Sequence, residues 1–407
     1  MEETDIVIIG AGAAGLMAGI WAGRINPYRR ILLLDGAQKL GAKILVAGGG
    51  RCNVTHDQVD ATAFAGSSRN AINKVLRRFD VRQAIQFFHE IGVKLKREDT
   101  GKLFPVTDSA RTVLNALLET ARAANVQIRH PHRVERIVRV DGRFVVGGVW
   151  GELRASKVVL ATGGRSLPKT GSDGYGYTLA KSLGHTLTPR VFPALVPLTL
   201  PRDHFICALS GVTVWTTLDL HTPSGKKLGT FTDSTLCTHF GLSGPSVLDM
   251  SRYFIDAHMD DPGATLTVNW LPGETSESVD ASLRTLGRST PLRHFSPQLP
   301  ERLVRALCSH AGVEATTPGN QITREGRKAL VRAFMELPLP IAGNRGFTYA
   351  EVTAGGIPLS ELHLETMESR VGPGLYVCGE ICDVDGRIGG YNFQWAWASG
   401  YVVGMSV

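Results

Sequence analysis

The opening of the chain constrains its fold more than any other stretch. Asp5-Ile6-Val7-Ile8-Ile9 is a short, β-branched apolar run of the kind buried on both faces of a parallel sheet. It runs straight into Gly10-Ala11-Gly12-Ala13-Ala14-Gly15, after which small and apolar residues read as a helix to about Arg24. A second apolar run, Ile31-Leu32-Leu33-Leu34, ends on Asp35, 20 residues beyond Gly15. Strand, glycine turn, helix, strand and terminal acid in this register form one βαβ unit with a dinucleotide-binding fingerprint. Gly10 makes the tight turn, Gly12 lets a pyrophosphate approach the backbone, and Gly15 lets helix and strand pack closely. Ala13 and Ala14 open the helix, whose free N–H groups would face the phosphates, and Asp35 can accept from a ribose diol. A tight strand–helix turn with no ligand is the rival reading.

Composition narrows the class. With 407 residues, 43% apolar, the chain has ample material for a core and a soft prior of two to three domains, which excludes intrinsic disorder. The 46 glycines have no collagen-like period and point to tight turns or backbone-lined ligand sites. The six cysteines (Cys52, Cys207, Cys237, Cys308, Cys378, Cys382) contain no short CxxC pair and read as reduced thiols, with no metal site expected. Residues 6–23 carry no charge over 18 positions, long enough for a membrane helix, but five of them are glycine. The strand–turn–helix reading accounts for them better, and no basic leader precedes them. A soluble, cytoplasmic protein without membrane contact is expected.

Further along, residues 69–97 look helical, with Ile72, Val75, Leu76, Phe79, Ile85, Phe88 and Ile91 near a 3.6 spacing. Another helix fits 109–124, with Asp108 or Ser109 as its N-cap. Residues 126–160 read as strands with a turn at Asp141-Gly142, ending in Ala161-Thr162-Gly163-Gly164. Prolines 189, 193, 197 and 201 mark the crossing into a second domain. That domain reads as strands to 272 and helices from 276 to 336. After Pro338 and Pro340 the text returns to strands and glycines, and a last helix spans about 391–404.

The segments after the fingerprint carry a resemblance that spans the chain. They are Gly41-Ala42-Lys43-Ile44, Gly48-Gly49-Gly50-Arg51-Cys52-Asn53, Thr162-Gly163-Gly164 and Thr238-His239-Phe240-Gly241-Leu242-Ser243-Gly244-Pro245. Thr353-Ala354-Gly355-Gly356, Gly379-Glu380 and Gly389-Gly390-Tyr391-Asn392-Phe393-Gln394-Trp395-Ala396 follow. With these strings the sequence resembles bacterial FAD flavoproteins variously labelled YhiN-like, BaiN-like or aminoacetone oxidase-like. At longer range it resembles succinate dehydrogenase and L-aspartate oxidase flavoproteins. The resemblance implies an α/β fold: a Rossmann-type, glutathione-reductase-like FAD domain in two parts, with an inserted β-rich domain carrying a helical subdomain. The expected boundaries are 1–192 (with a helical excursion at 60–100), 193–272 plus 273–342 for the insertion, and 343–407.

By the same resemblance Gly41, Lys43 and the segment Gly49, Gly50, Arg51, Cys52, Asn53 would wrap the pyrophosphate and reach the flavin. Val134 would offer its backbone to the adenine, Thr162 and Gly163 would close the phosphate site, and Gly379 and Glu380 would face the ribityl or pyrophosphate. Gly390, Asn392 and Phe393 would aim helix N–H groups at the flavin pyrimidine edge, where negative charge develops on reduction. Two departures stand out. Cys237 precedes Thr238 where relatives carry an aromatic residue, and the loop at 171–176 differs from the Thr-Gly-Asp-Gly form of distant relatives.

Two residues are candidates for catalysis. Cys52 lies beside Arg51, which would favour its thiolate; the alternative is a small residue packed against the cofactor. His239 opens a glycine-rich loop and is a candidate acid–base group or a structural histidine. His130 and His132 read as loop residues, not a metal pair. No second GxGxxG follows a strand, so NAD(P)H would bind transiently. No Ser-His-Asp set, paired-carboxylate motif or P-loop occurs, which removes hydrolase and kinase readings.

The net charge of +7 is uneven: residues 69–97 hold eight Lys and Arg against Asp80 and Glu90. A basic helix of this kind is either a polyanion contact or a solvated face. The expected function is an FAD-dependent oxidoreductase with substrate unassigned. The alternatives are reduction of uridine to dihydrouridine in ribosomal RNA, a small-molecule (aminoacetone-type) oxidase, and a non-catalytic FAD-binding protein. Oligomeric state is left open.

Overall fold

A computed structural model describes residues 1–407. It divides into two compact units, Met1–Pro193 with Glu351–Val407, and Ala194–Ala350. The first is built on five parallel strands: β1 (Glu2–Ile9), β2 (Ile31–Leu34), β3 (Val126–Arg129), β4 (Gly151–Leu160) and β5 (Leu375–Val377). β1 pairs with both β2 and β4, β2 with β3, and β4 with β5, all parallel, giving the order 3-2-1-4-5. This is the doubly wound dinucleotide-binding order, with ligands expected beyond the strand carboxyl ends. The register Val7↔Leu32 and Val7↔Val158 buries the β-branched run between its neighbours, which is why Ile6, Val7 and Ile8 alternate with nothing polar.

Between β1 and β2 runs α1 (Ala13–Ile25). It lies so close to its strand that a Cβ on Gly15 would sit 1.9 Å from the Gly10 carbonyl oxygen. Against it packs the last helix, Tyr391–Gly404, through another close approach: a Cβ on Gly400 would meet the Ala14 carbonyl oxygen at 2.5 Å. The contact positions on both helices are small residues because the backbones nearly touch there.

The second unit is a seven-stranded sheet ordered Leu337–Leu339, Thr265–Asn269, Thr213–His221, Lys227–Thr238, Gly241–Ser243, Leu198–Thr199, Gly343–Asn344. Every ladder in it is antiparallel. The helix Pro245–Asp260 packs on this sheet, and four shorter helices follow between 276 and 335. The return to the first unit comes at residue 351, not 343, because Gly343–Asn344 is an edge strand paired with Leu198–Thr199.

The stretch 69–97 is not one basic helix. It is α2 (Arg69–Leu76), then α3 (Val81–Glu90), then a strand Leu95–Arg97. The break falls at Asp80, whose carboxylate accepts from Gln83 N–H while the Gln83 side chain accepts from Asp80 N–H: a capping box that starts a new helix. The helix expected at 109–124 is Ala110–Ala123, and Ser109 sits at its N-cap without a side-chain capping bond.

Candidate cofactor-binding site

At the carboxyl ends of β1, β2 and β4 lies a cavity of about 540 Å³. Eight of the anticipated residues line it: Gly10, Gly12, Asp35, Gly41, Lys43, Val134, Thr162 and Gly163. Gly10 (φ +106°) turns the chain with its missing Cβ pointed at the Ala161 carbonyl oxygen, 2.4 Å from where that Cβ would be. Gly12 faces the other way, with nothing within 4 Å of a would-be Cβ, so its backbone is bare towards the cavity. α1 starts on Gly12 with no side-chain cap, which leaves its first N–H groups available to an anion.

Asp35 does more than face a ribose. Its Oδ2 accepts from Ala11 N–H (2.6 Å) and its Oδ1 from Ala37 N–H (2.7 Å), so the acid also ties the glycine turn to the end of β2. A carboxylate has about four acceptor sites; two remain. The Val134 N–H and C=O are engaged by no backbone partner, as a backbone contact to a base requires. Ala13, Ala14 and Gly15 do not line the cavity. Ala14 and Gly15 are buried in the first turn of α1, against Gly400 and Gly10.

The second anticipated segment folds as a kinked helix, Ala42–Gly50, whose end is a left-handed run: Gly48 (φ +57°), Gly49 (φ +67°) and Gly50 (φ +85°). These three glycines are exposed. Arg51 turns from them, its guanidinium stacked 4.0 Å over the Phe104 ring and bonded to Glu98 at 2.6 Å. The thiolate expectation for Cys52 is therefore overturned. Its side chain is fully buried, burial pushes its thiol up to about 12, and the Arg51 charge is already taken. Asn53 is buried and its Oδ1 has no partner.

Lys43 is joined by an ion pair to Glu380, whose Oε1 accepts from Thr353 N–H at 3.0 Å. Glu380 thus sets the position of a cavity-lining cation. Gly379 (φ +80°) donates its N–H to Ser399 Oγ and accepts from Trp395 Nε1, both at 3.0 Å, so it anchors the last helix. That helix starts on Gly390 (φ +97°), again with no side-chain cap. The Asn392 side chain does not point at a ligand: it accepts from Gly386 N–H and donates to Gly386 C=O, both 2.8 Å, closing the preceding loop. Phe393 stacks on Trp397 at 5.4 Å.

Sequence reasoning noted the loop at 171–176 as a departure and left it out of the site, yet the segment Pro168 to Gly176, which follows β4, forms one wall of the cavity and contributes Ser172 and Asp173. Its glycine spacing (171, 174, 176) was the available signal. The loop is held by an Asp173–Arg133 ion pair of 2.8 Å. Thr162 Oγ1 and Ser172 Oγ are buried with no hydrogen-bond partner. Unmade bonds of this kind cost about 1–3 kcal/mol each and call for a ligand's polar atoms. With the bare Gly12 backbone and the uncapped α1, they fit a dinucleotide.

His239 lies in the second unit, exposed in the turn between Thr238 and Gly241, with only an edge contact to Phe240 at 5.1 Å. It is not a buried structural histidine. The whole +7 belongs to the first unit, because the 14 Lys and Arg of residues 194–350 match 14 Asp and Glu. Within 69–97, Lys74 pairs with Glu365, Lys96 with Asp108 and Arg97 with Asp57. Arg77, Arg78 and Arg82, around the α2–α3 junction, are exposed and form no ion pair. No helix is long and apolar enough to cross a membrane.

A parallel 3-2-1-4-5 sheet carrying this turn, acid and uncapped helix, with a second domain inserted before its last strand, defines a dinucleotide-binding oxidoreductase of the FAD class. The chain belongs to the family described as HI0933-like protein Rossmann domain, whose model matches residues 4–406. Its cofactor is FAD, and it is an FAD-dependent oxidoreductase. Among its relatives, the ribosomal RNA dihydrouridine synthase of Escherichia coli is 34% identical over 404 residues, 98% of this chain and 97% of the other. The 3-dehydro-bile acid delta(4,6)-reductase of Clostridium scindens is 33% identical over 406 residues, 98% of each. The fold resembles 3-ketosteroid delta1-dehydrogenase from Sterolibacterium denitrificans (TM-score 0.53, 13% identity, 99% of each chain). It also resembles the quinol fumarate reductase subunit FrdA of E. coli (TM-score 0.52, 17% identity, all of this chain and 70% of the other).

Proposed function

We propose that this enzyme reduces a carbon–carbon double bond conjugated to a carbonyl, and that its substrate is a uridine in ribosomal RNA. The observation that carries the RNA reading is the unpaired Arg77, Arg78 and Arg82 on the unit that holds all the net charge. Cations without counter-ions, grouped on one exposed turn, are what a phosphate backbone recruits. The chemistry is common to the names of both relatives: a uracil ring and a 3-oxo-4,6-diene each place the double bond beside a carbonyl. FAD, when bound, would supply the hydride, and a nicotinamide nucleotide would be the external reductant. The substrate gains that hydride at the carbon β to its carbonyl (C6 of uracil) and a proton at the α carbon (C5).

The chain's own residues bind and orient. Gly12 and the first turn of α1 would take the pyrophosphate, and Thr162 and Ser172 would donate their free hydroxyls to it. Asp35 would accept from the ribose on its two remaining sites, and the Val134 backbone would read the adenine. Lys43, held by Glu380, adds positive charge beside the phosphates. The start of the last helix at Gly390, which has no side-chain cap, would lie towards the pyrimidine edge and would stabilise negative charge there. Cys52 remains a protonated, enclosed thiol and packs; exposed His239 is the better candidate for the proton.

Mass spectrometry of ribosomal RNA from a strain lacking the gene tests the reading. Loss of one dihydrouridine is expected, and unchanged content overturns it. With purified protein and NAD(P)H, turnover of a 3-oxo-4,6-diene steroid but not of RNA would establish the small-molecule alternative. Replacing Arg77, Arg78 and Arg82 together by Gln should lower RNA affinity and reduce the log–log salt slope by about 2, leaving FAD content unchanged.

A further inference from the structure

The second unit holds a cation built for a purpose its own fold does not supply. Arg345 follows the edge strand Gly343–Asn344, and its backbone N–H is fixed to the Pro197 carbonyl at 3.1 Å. Its guanidinium carbon lies 4.3 Å from the Phe240 ring centre and 3.7 Å from that of Tyr349. The cation is therefore packed against two aromatic rings. Rings offer no hydrogen-bond partner of the kind its fork of N–H donors can grip bidentately. Those donors meet no carboxylate and no carbonyl, although a guanidinium has five of them and normally finds partners. Tyr349 is 51% exposed, so the stack is at the surface and within reach of solutes. The Phe240 ring that covers Arg345 also touches His239, which is exposed and without a hydrogen-bond partner.

We infer that Arg345 is the anchor for an oxyanion of the substrate, gripped in the plane of the guanidinium while Phe240 and Tyr349 hold that plane still. A stacked arginine has lost its side-chain freedom before binding, so the fork is presented without further ordering cost. Planar bidentate bonding suits a phosphodiester or a carboxylate and is poorly served by lysine. The anchor and His239 share the Phe240 ring, so a substrate gripped by Arg345 would be held beside the candidate proton donor. This inference rests on the double-bond reduction proposed above; it adds where the substrate's negative group is held. An RNA brings the oxyanion as phosphate and a bile acid as carboxylate.

The test is modification of the FAD-loaded enzyme by phenylglyoxal, a guanidine reagent, read at Arg345 by mass spectrometry. A ten-nucleotide oligouridylate and a 3-oxo bile acid, each at millimolar concentration, serve as probes. Arg345 should react in the free enzyme and be slowed at least fivefold by one probe. Protection by oligouridylate assigns the phosphate source, and protection by the bile acid the carboxylate. Arg345→Gln and Arg345→Lys should both bind the protecting probe about tenfold more weakly, with melting temperature and FAD content unchanged. An unreactive Arg345, or no protection by either probe, overturns the inference. Uridine reduced at an unchanged rate by R345Q overturns the anchor and leaves the function standing. Protection at Arg345 without reduction of either substrate does the reverse.

Discussion

Two glycine turns in the first unit look alike in sequence and differ in what they require. In the turn at 10–15 the missing side chains are replaced by backbone: a Cβ on Gly10 would lie 2.4 Å from the Ala161 oxygen, and one on Gly15 1.9 Å from the Gly10 oxygen. In the turn at 48–50 a Cβ on Gly48 would meet the Asn53 nitrogen and the Phe104 ring at 3.1 Å, but the surroundings of the apex are open. Gly49 has nothing within 4 Å of a would-be Cβ, and Gly50 only the Leu45 oxygen at 3.8 Å; there the positive φ alone asks for glycine. The first turn is fixed by the packing of α1 on β1, β4 and the last helix. The second is held at its edges, by Arg51 on Phe104 and Glu98 and by the enclosed Cys52, while its apex is bare. One turn is an architectural joint, and the other is a loop whose shape is specified with nothing yet pressed against it.

The largest effect should come from the joint. Gly15→Ala has no room to relax, since the blocking atom is a backbone oxygen that itself belongs to the fingerprint turn. A loss of more than about 3 kcal/mol is expected, the upper end of overpacking costs. Urea unfolding of apoprotein would check it; a loss below about 1 kcal/mol would show that α1 can lift from its strand and that the two turns are not different in kind.

Next in size is the thiol at the foot of the second turn. With Cys52 pushed up from 9.0 to about 12 by burial, the thiolate at pH 8 is about a thousandfold rarer than for a free thiol. Alkylation of native protein by iodoacetamide, read peptide by peptide, should spare Cys52 to that extent. The sign of the linked stability follows. The folded state keeps this proton more tightly than the unfolded state, so the contribution is complete below pH 9 and is lost as pH rises from 9 towards 12. Rapid labelling at pH 8 would restore the thiolate role that Arg51 suggests.

A smaller effect probes the cavity served by the first turn. Thr162→Val removes a buried hydroxyl that has no partner in the protein, so apoprotein should be as stable as the parent or slightly more so. FAD affinity should fall about tenfold, the worth of one good hydrogen bond to a charged group. Equilibrium titration of flavin fluorescence separates the two. Equal loss of apo stability and affinity would mean that Thr162 is structural.

What could be read from sequence tracks how local its cause is. The first βαβ unit was legible because its strand, turn, helix and acid lie within 35 residues and each has one physical reason to be there. The break of 69–97 at Asp80 was legible too, as a capping box, but hydrophobic spacing alone runs straight through it. Nothing local shows that Lys74 is neutralised by Glu365, Lys96 by Asp108 or Arg97 by Asp57, so a basic stretch of eight cations shrinks to five without an ion pair, three of them at the α2–α3 junction, only in the folded chain. Cys52 was misjudged for the same reason. Its neighbour in sequence is a cation, whereas its side chain is buried in the core of the first unit, which only the folded chain assembles. The cavity wall at 168–176 required knowing that β4 lies beside β1.

The smallest effect decides what the second turn is for. Gly49→Ala places a left-handed conformation (φ +67°) on a residue with a Cβ, at a cost of about 1 kcal/mol. Gly49→Asn should cost less in apoprotein, because asparagine tolerates that conformation, yet it is the bulkier side chain. The two variants therefore rank oppositely under the two explanations. If only conformation matters, alanine is the worse substitution for both apo stability and FAD affinity. If the apex is bare because the cofactor lies against it, as the resemblance to FAD flavoproteins implies, asparagine is better in urea and worse in flavin titration, with affinity lost several-fold beyond any change in folding. The same order in both assays would leave the second turn a shaped loop with no cofactor on it, and the site would then end at the cavity beside Gly12 and Asp35.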